Sequence, residues 1–212
     1  MIDLFLDSFV ILFVVIDPVG LAPIFATITH GGTSEYRRRM ALRGTFIAAV
    51  ILFVFVLCGA ALLRALGIGM PAFQIAGGVL LFLIAVDMVF VRQSGIRSPT
   101  EREQREAEQK DDVSVFPLAF PLLAGPGALT TVLLMSGKYA QQRYGIVVIV
   151  AVVLIVLLFA LIALWQAERI MRFVGETGAN VVTRLFGVIY ILCRNTNILS
   201  MPVNVPGIHK VR

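Results

Sequence analysis

The chain has 212 residues, 58% of them hydrophobic and only 15% charged, with a formal net charge of +5 and a mean hydropathy of +0.92. Charge well below the roughly 25% of soluble domains argues against a water-soluble globule and for a membrane protein. The Lys and Arg residues fall between apolar runs rather than in a patch interleaved with aromatics, which argues against nucleic acid as a partner.

Taken in order, the first span is expected over Leu4–Ile28 and contains Asp7, Asp17, Pro18 and Pro23. Asp is a favoured N-cap and Pro fits the first helical position, so Asp17-Pro18 reads as a helix start in the middle of an apolar run. A basic loop from His30 to Arg43 is expected next, with Arg37, Arg38, Arg39 and Arg43, and then a second span over Gly44–Leu63. The third span, Pro71–Val91, carries Gln74, Gly77-Gly78 and Asp87. The mixed-charge stretch Arg92–Asp112 reads as a solvated loop or short surface helix. A fourth span, Val113–Met135, is uncharged but interrupted by Pro117, Pro121 and Gly125-Pro126-Gly127. The fifth, Ile146–Trp165, has twenty apolar residues, which at 1.5 Å per residue match a hydrocarbon core about 30 Å thick. The sixth, from Val181, stays apolar only to Cys193 and contains Arg184. These thirteen residues fall short of the roughly 20 a spanning helix needs.

The loops after spans 1, 3 and 5 hold eleven Lys and Arg, against three in those after spans 2 and 4. This predicts odd loops in the cytoplasm and the N-terminus outside. The start of the chain lacks a basic leader and a small-residue cleavage site, so it reads as a retained first span.

Asp17-Pro18-Val19-Gly20-Leu21 has a weaker echo in Gly125-Pro126-Gly127-Ala128-Leu129. Each break lies in the first span of a three-span half, and an odd number of spans inverts one half relative to the other. The expected fold is therefore all-α: six transmembrane helices as a 3+3 inverted repeat, with helices 1 and 4 broken and the sixth incomplete. The divisions are 1–91, a first three-helix half; 92–112, a charged cytoplasmic loop; 113–193, a second half; and 194–212, an atypical polar tail. Pro and Gly that merely kink membrane helices are the plainer alternative.

Exposed N–H groups at Val19 and Gly20, and at Gly127 and Ala128, suit a substrate carboxylate at the positive end of a helix dipole. The candidate substrate-binding set is accordingly Asp17, Pro18, Val19, Gly20, Gly125, Pro126, Gly127, Ala128, Thr130 and Thr131. Asp17 has three readings: a structural cap, a proton carrier or a cation ligand. Thr130 and Thr131 either face the break or bond back to helix carbonyls. Asp87 is expected near the cytoplasmic end of its span, as an interfacial acid or partner of Arg92 rather than a mid-membrane relay, and Arg184 either pairs with Asp17 or Asp87 or marks a frayed helix end. Gln74 and Gly77-Gly78 line a cavity or, more simply, allow close helix packing. Cys58 and Cys193 form neither a disulfide framework nor a zinc motif, and His30 and His209 have no catalytic neighbours in sequence. No Walker motif is present. No enzyme activity, metal or cofactor is expected. Asp17 and Asp87 do not form an aspartyl-protease pair, because their expected depths differ by several helical turns.

The segments Asp17-Pro18-Val19-Gly20 with Pro23-Ile24-Phe25, Gly77 to Ala85, and Pro117-Leu118-Ala119-Phe120-Pro121-Leu122-Leu123-Ala124-Gly125-Pro126-Gly127 resemble the MarC family of bacterial inner-membrane proteins. The resemblance runs from about Met1 to Ile189. It implies six transmembrane helices, multi-pass residence in the bacterial inner membrane and kinship with LysE-type amino-acid exporters. The implied function is secondary export of a small solute, such as a neutral amino acid, by alternating access around the two breaks. No coupling ion or oligomeric state is implied. The alternative is a membrane scaffold or stress-related interaction protein that docks through Arg92–Asp112. After Arg184-Leu185-Phe186-Gly187-Val188-Ile189 the chain turns polar and departs from the family, as an altered end of the coding sequence would produce, and an unstable sixth helix is expected.

Overall fold

The structure is a computed structural model that describes residues 2–90, 112–139, 142, 144–173 and 175–199, without the side chains of residues 3, 176 and 189–199. All regular elements among these are helical: α1 (Ile2–Ile16), α2 (Pro18–Ile28), α3 (Ser34–Ala65), α4 (Met70–Phe90), α5 (Pro126–Tyr139), α6 (Gly145–Trp165), α7 (Ala167–Phe173) and α8 (Gly175–Leu199). An irregular wound segment, Ser114–Leu123, precedes α5.

Among the described residues, four stretches are long and apolar enough to cross a membrane: Leu4–Ile28 (α1 with α2), α3, α4 and α6. The wound segment and α5, bent by 54° at their junction, make a fifth if they are one span. Helix α8 has 25 residues but is not among these candidates. It begins six residues ahead of the expected sixth span and continues into the segment expected to be a polar tail. Residues 92–111 and 200–212, which hold most of the expected charged loop and the end of that tail, lie outside the described residues.

The second span differs from expectation at its start. Arg37, Arg38, Arg39 and Arg43 lie on the first turns of α3, not in a loop. Thr33 caps the helix by accepting from the Tyr36 N–H at 3.2 Å, and Glu35 sits in the first turn, where the dipole favours an acid. At 1.5 Å per residue the 32 residues reach about 48 Å, well beyond the hydrocarbon core, so the basic end projects past it. There Arg37 pairs with Glu168 at 2.6 Å, Arg43 with Asp112 at 3.3 Å, and the Arg38 guanidinium lies 5.0 Å from the Trp165 ring centre. The start of α3, the end of α6, α7 and the start of the wound segment therefore share one end of the bundle. Exposed pairs of this kind are worth roughly 0–1 kcal/mol each, so they mark this end rather than hold it together.

The wound segment follows from its sequence. Phe116-Pro117 and Phe120-Pro121 repeat at a four-residue interval, and a residue before proline is driven out of the α region. Phe116 and Phe120 are extended (φ −131°, ψ 126°; φ −129°, ψ 129°), and both Phe–Pro peptides are cis. The chain closes wide turns instead, with the Leu118 N–H donating to Val113 O at 3.2 Å and the Ala124 N–H to Ala119 O at 2.8 Å.

Small residues set the helix contacts, as in membrane bundles generally. A methyl group on Gly44 would strike Leu118, one on Gly59 Leu133, and one on Gly77 Thr130. Close packing is thus what Gly77 provides. Helix α8 docks by one stripe. Ala179 is fully buried, Phe186 meets Phe13 edge to face at 5.9 Å, and Gly187 lies against Ala85, Met88 and Val89 of α4.

Two predictions follow from this packing. Gly187→Leu overpacks the α4–α8 contact at a cost of about 1–3 kcal/mol, lowering the thermal midpoint in detergent, whereas Gly69→Ala, whose nearest neighbour is Pro71 Cδ at 3.7 Å, leaves it unchanged. Equal midpoints would contradict the docking of α8. The Asp112 carboxyl is held below its ordinary range, first by the Ser114 hydroxyl (2.5 Å), then by the Ser114 N–H and Arg43, against slight burial. A depressed pKa adds stability above the unfolded value and loses it as pH falls through the folded one. The loss of stability on acidification is therefore smaller in Asp112→Asn; an unchanged acid dependence would refute this.

Candidate functional site

The first break is centred on Asp17, 1% exposed, between α1 and α2. Pro18 has no N–H to give the Val14 carbonyl, so the helix must be interrupted here. Asp17 sits in the left-handed region at φ 48°, ψ 70°, rather than in the extended conformation usual for a cap. Helical bonds continue on either side of it, from the Asp17 N–H to Phe13 O at 2.9 Å and from the Leu21 N–H to Asp17 O at 3.1 Å. The side chain supplies the bridge: Oδ1 accepts from the Gly20 N–H at 3.0 Å, and Oδ2 accepts from the Thr183 hydroxyl of α8 at 2.8 Å. A left-handed L-residue costs about 1–2 kcal/mol. Two such bonds, at about 1 kcal/mol each even for neutral groups, offset it. A Cβ on Gly20 would run into the Asp17 carboxylate and lie 2.5 Å from Thr183 Oγ1, so glycine is required by this hydrogen-bonded triangle.

At the second break the chain turns at Gly125, where a Cβ would clash with the Pro121 carbonyl oxygen, and Pro126 opens α5. The first helical bond runs from the Leu129 N–H to Gly125 O at 3.0 Å. This leaves the N–H groups of Gly127 and Ala128 ahead of the ladder, and Gly125 has no side chain to cap them. No described side chain accepts from them. Both residues are buried, with Gly127 close against Val15 of α1 and Ile84 of α4. The two breaks thus approach each other, since Val15 is two residues ahead of Asp17.

The predicted residues divide accordingly. Asp17 with Gly20, and Gly127 with Ala128, form two helix starts brought together through Val15. Pro18 and Gly125 are buried, Pro126 and Val19 partly so, and each shapes its break rather than offering a side-chain hydrogen bond. Thr130 packs its methyl on Gly77. Thr131 is buried and its hydroxyl has no partner, so the back-bonded alternative does not hold for it. Arg184 is exposed on α8. It is the preceding residue, Thr183, that meets Asp17, a partner sequence reasoning missed. Its one signal was a hydroxyl inside the apolar stripe shared with Phe186 and Gly187. Asp87 is partly buried near the end of α4, and its expected partner Arg92 lies outside the described residues, as do His209 and the side chain of Cys193. No cluster of metal-binding side chains occurs among the described residues.

The profile of the MarC family, described as integral membrane proteins, matches residues 2–202. Similar curated proteins include a UPF0056 membrane protein of Archaeoglobus fulgidus, 33% identical over 88% of this chain and 86% of its own length. The UPF0056 membrane protein YvbG of Bacillus subtilis is 32% identical over 89% of each chain. The UPF0056 inner membrane protein YhgN of Escherichia coli is 32% identical over 88% of this chain and 90% of its own. No solved structure matches the chain.

If Asp17 and Thr183 act as one unit, their substitutions are not additive. Asp17→Ala leaves the Gly20 N–H and Thr183 hydroxyl unpaired and lowers stability by about 1–3 kcal/mol, and Thr183→Val adds little more on that background. Thermal unfolding of the two single variants and the double variant in detergent measures the coupling, and strict additivity would rule the unit out.

Proposed function

The chain belongs to the MarC family of integral membrane proteins, and we propose that it is a secondary transporter of a small solute bearing a carboxylate, with a neutral amino acid as the fitting class. The observation that carries this reading is the difference between the two helix starts. At the first, the acceptor is the protein's own Asp17 carboxylate. At the second, the N–H groups of Gly127 and Ala128 are buried with no side-chain acceptor among the described residues. A helix N-terminus with free N–H groups is an anion site. Inside a membrane it needs an occupant, because an unsatisfied backbone group there costs several kcal/mol. Asp17 beside Gly20 is the pattern in which a solute carboxylate would sit on Gly127 and Ala128.

Transport then proceeds as two three-helix halves, of opposite orientation, rock about the paired breaks, with α8 as the sixth crossing and the N-terminus outside. The basic end formed by α3, α6 and α7 faces the cytoplasm, in keeping with the bias of Lys and Arg towards that side. As in its Escherichia coli relative, named an inner membrane protein, the bilayer is that of the inner membrane.

The test is flux of labelled alanine, glycine and serine in proteoliposomes. Ala128→Pro removes one donor at a first-turn position where proline is tolerated. Loss of one bond to a charged group, about 1.5–3 kcal/mol, lowers apparent affinity roughly tenfold or more. Flux no faster than in protein-free vesicles would overturn the transport reading in favour of a scaffold. Flux indifferent to Ala128→Pro, with folding intact, would overturn the site.

A further inference from the structure

Among the described residues, four buried hydroxyls have no hydrogen-bond partner: Ser8, Thr45, Thr131 and Ser136. Serine and threonine inside membrane helices ordinarily bond back to a carbonyl one turn earlier, as Thr29 does to Phe25 at 2.6 Å. An orphaned hydroxyl shut away from water costs on the order of 1–3 kcal/mol, so each demands an explanation, and an ordered water is one.

Two of the four fall on one seam. Gly127 of α5 lies against Val15 of α1. On α1, Ser8 is seven residues before Val15, two turns of helix, and so shares its face. On α5, Thr131 is four residues after Gly127 and shares its face in turn. The two helices run antiparallel from this crossing, because α1 ends at the first break and α5 starts at the second. Moving away from the breaks, Thr131 is about 6 Å along α5 and Ser8 about 10.5 Å along α1, which puts both on the α1–α5 seam at neighbouring levels. Ser8 is 1% exposed and Thr131 2%. The opposite face of α1 is apolar, with Phe9 and Phe13 packed on Phe159 of α6 and Phe13 also on Phe186 of α8. The remaining two hydroxyls lie elsewhere. Thr45 adjoins Gly44, which packs on Leu118, and Ser136 is half a turn round α5 from Gly127.

We infer that Ser8 and Thr131 line a hydrated route between α1 and α5, by which water and the transported solute pass between the helix starts at Asp17 and Gly127 and the end of the bundle where α1 begins. Two hydroxyls at neighbouring levels give a passing carboxylate or ammonium group donors and acceptors in place of water. The inference rests on the breaks being the solute site, but the hydration of the seam is separately measurable.

Single cysteines at positions 8, 131 and 136 (Ser8→Cys, Thr131→Cys, Ser136→Cys) in a Cys58→Ala, Cys193→Ala background are exposed to a small membrane-impermeant thiosulfonate in intact proteoliposomes. Labelling is expected at 8 and 131 and absent at 136. Protection of 8 and 131 from the reagent, equal to that of 136, would overturn the route. Thr131→Val provides a second measurement: in a dry seam it removes an orphan and raises the thermal midpoint, whereas in a hydrated one the midpoint does not rise. A raised midpoint would also overturn the route. Labelling at 8 and 131 without flux of any amino acid would uphold the hydrated route while removing the transport reading beneath it.

Discussion

A backbone polar group in the hydrocarbon core has no water to turn to, and the arrangement of this molecule is an answer to that constraint. Asp17-Pro18 interrupts the first candidate span, Leu4–Ile28, in its interior. The Asp17 carboxylate repairs it by accepting from the Gly20 N–H while reaching the Thr183 hydroxyl on α8. Gly20 is glycine because the repair fills the space a side chain would take. Helix α8, too polar to qualify as a span by composition, is fixed by the same contact together with Phe186 and Gly187. All these docking residues precede Tyr190. The family profile runs on to residue 202, so the expected departure after Ile189 does not hold, and the portion of α8 that completes the first break lies within the matched region.

The second break poses the same problem and leaves it differently resolved. Two prolines and two extended phenylalanines force the wound segment, Gly125 turns against the Pro121 carbonyl, and α5 begins without a side-chain cap. With an acid at one helix start and a glycine at the other, the first has its own side-chain acceptor and the second has none among the described residues. The orphaned hydroxyls of Ser8 and Thr131 extend the same logic along the seam. Two of the four orphaned hydroxyls fall on this seam, while the neighbouring face of α1 packs Phe9 and Phe13 on Phe159.

Much of this was legible in the sequence where a single physical signal dominated. The start of α4 and both limits of α6 fall within a residue of the expected spans, because a long, largely apolar run has no competing reading. Asp17-Pro18 announced a helix start through cap and first-turn chemistry. The first ten residues of α3 were not legible as helix: four arginines signalled a loop more loudly than Thr33 signalled a cap. Thr183 lies 166 residues from Asp17, and no local pattern encodes that distance. The wound segment has the apolar composition of a span, and only its Phe-Pro repeat signals the extended backbone at Phe116 and Phe120.

The central claim is that the start of α5 receives a carboxylate that the protein does not itself supply. Equilibrium binding of alanine and of its carboxamide to the purified protein tests this most directly, since the two differ only in the group that would meet Gly127 and Ala128. The account predicts that alanine binds and that the carboxamide, lacking the negative charge, binds at least roughly tenfold more weakly. Equal binding of the two, or binding of neither, would contradict it.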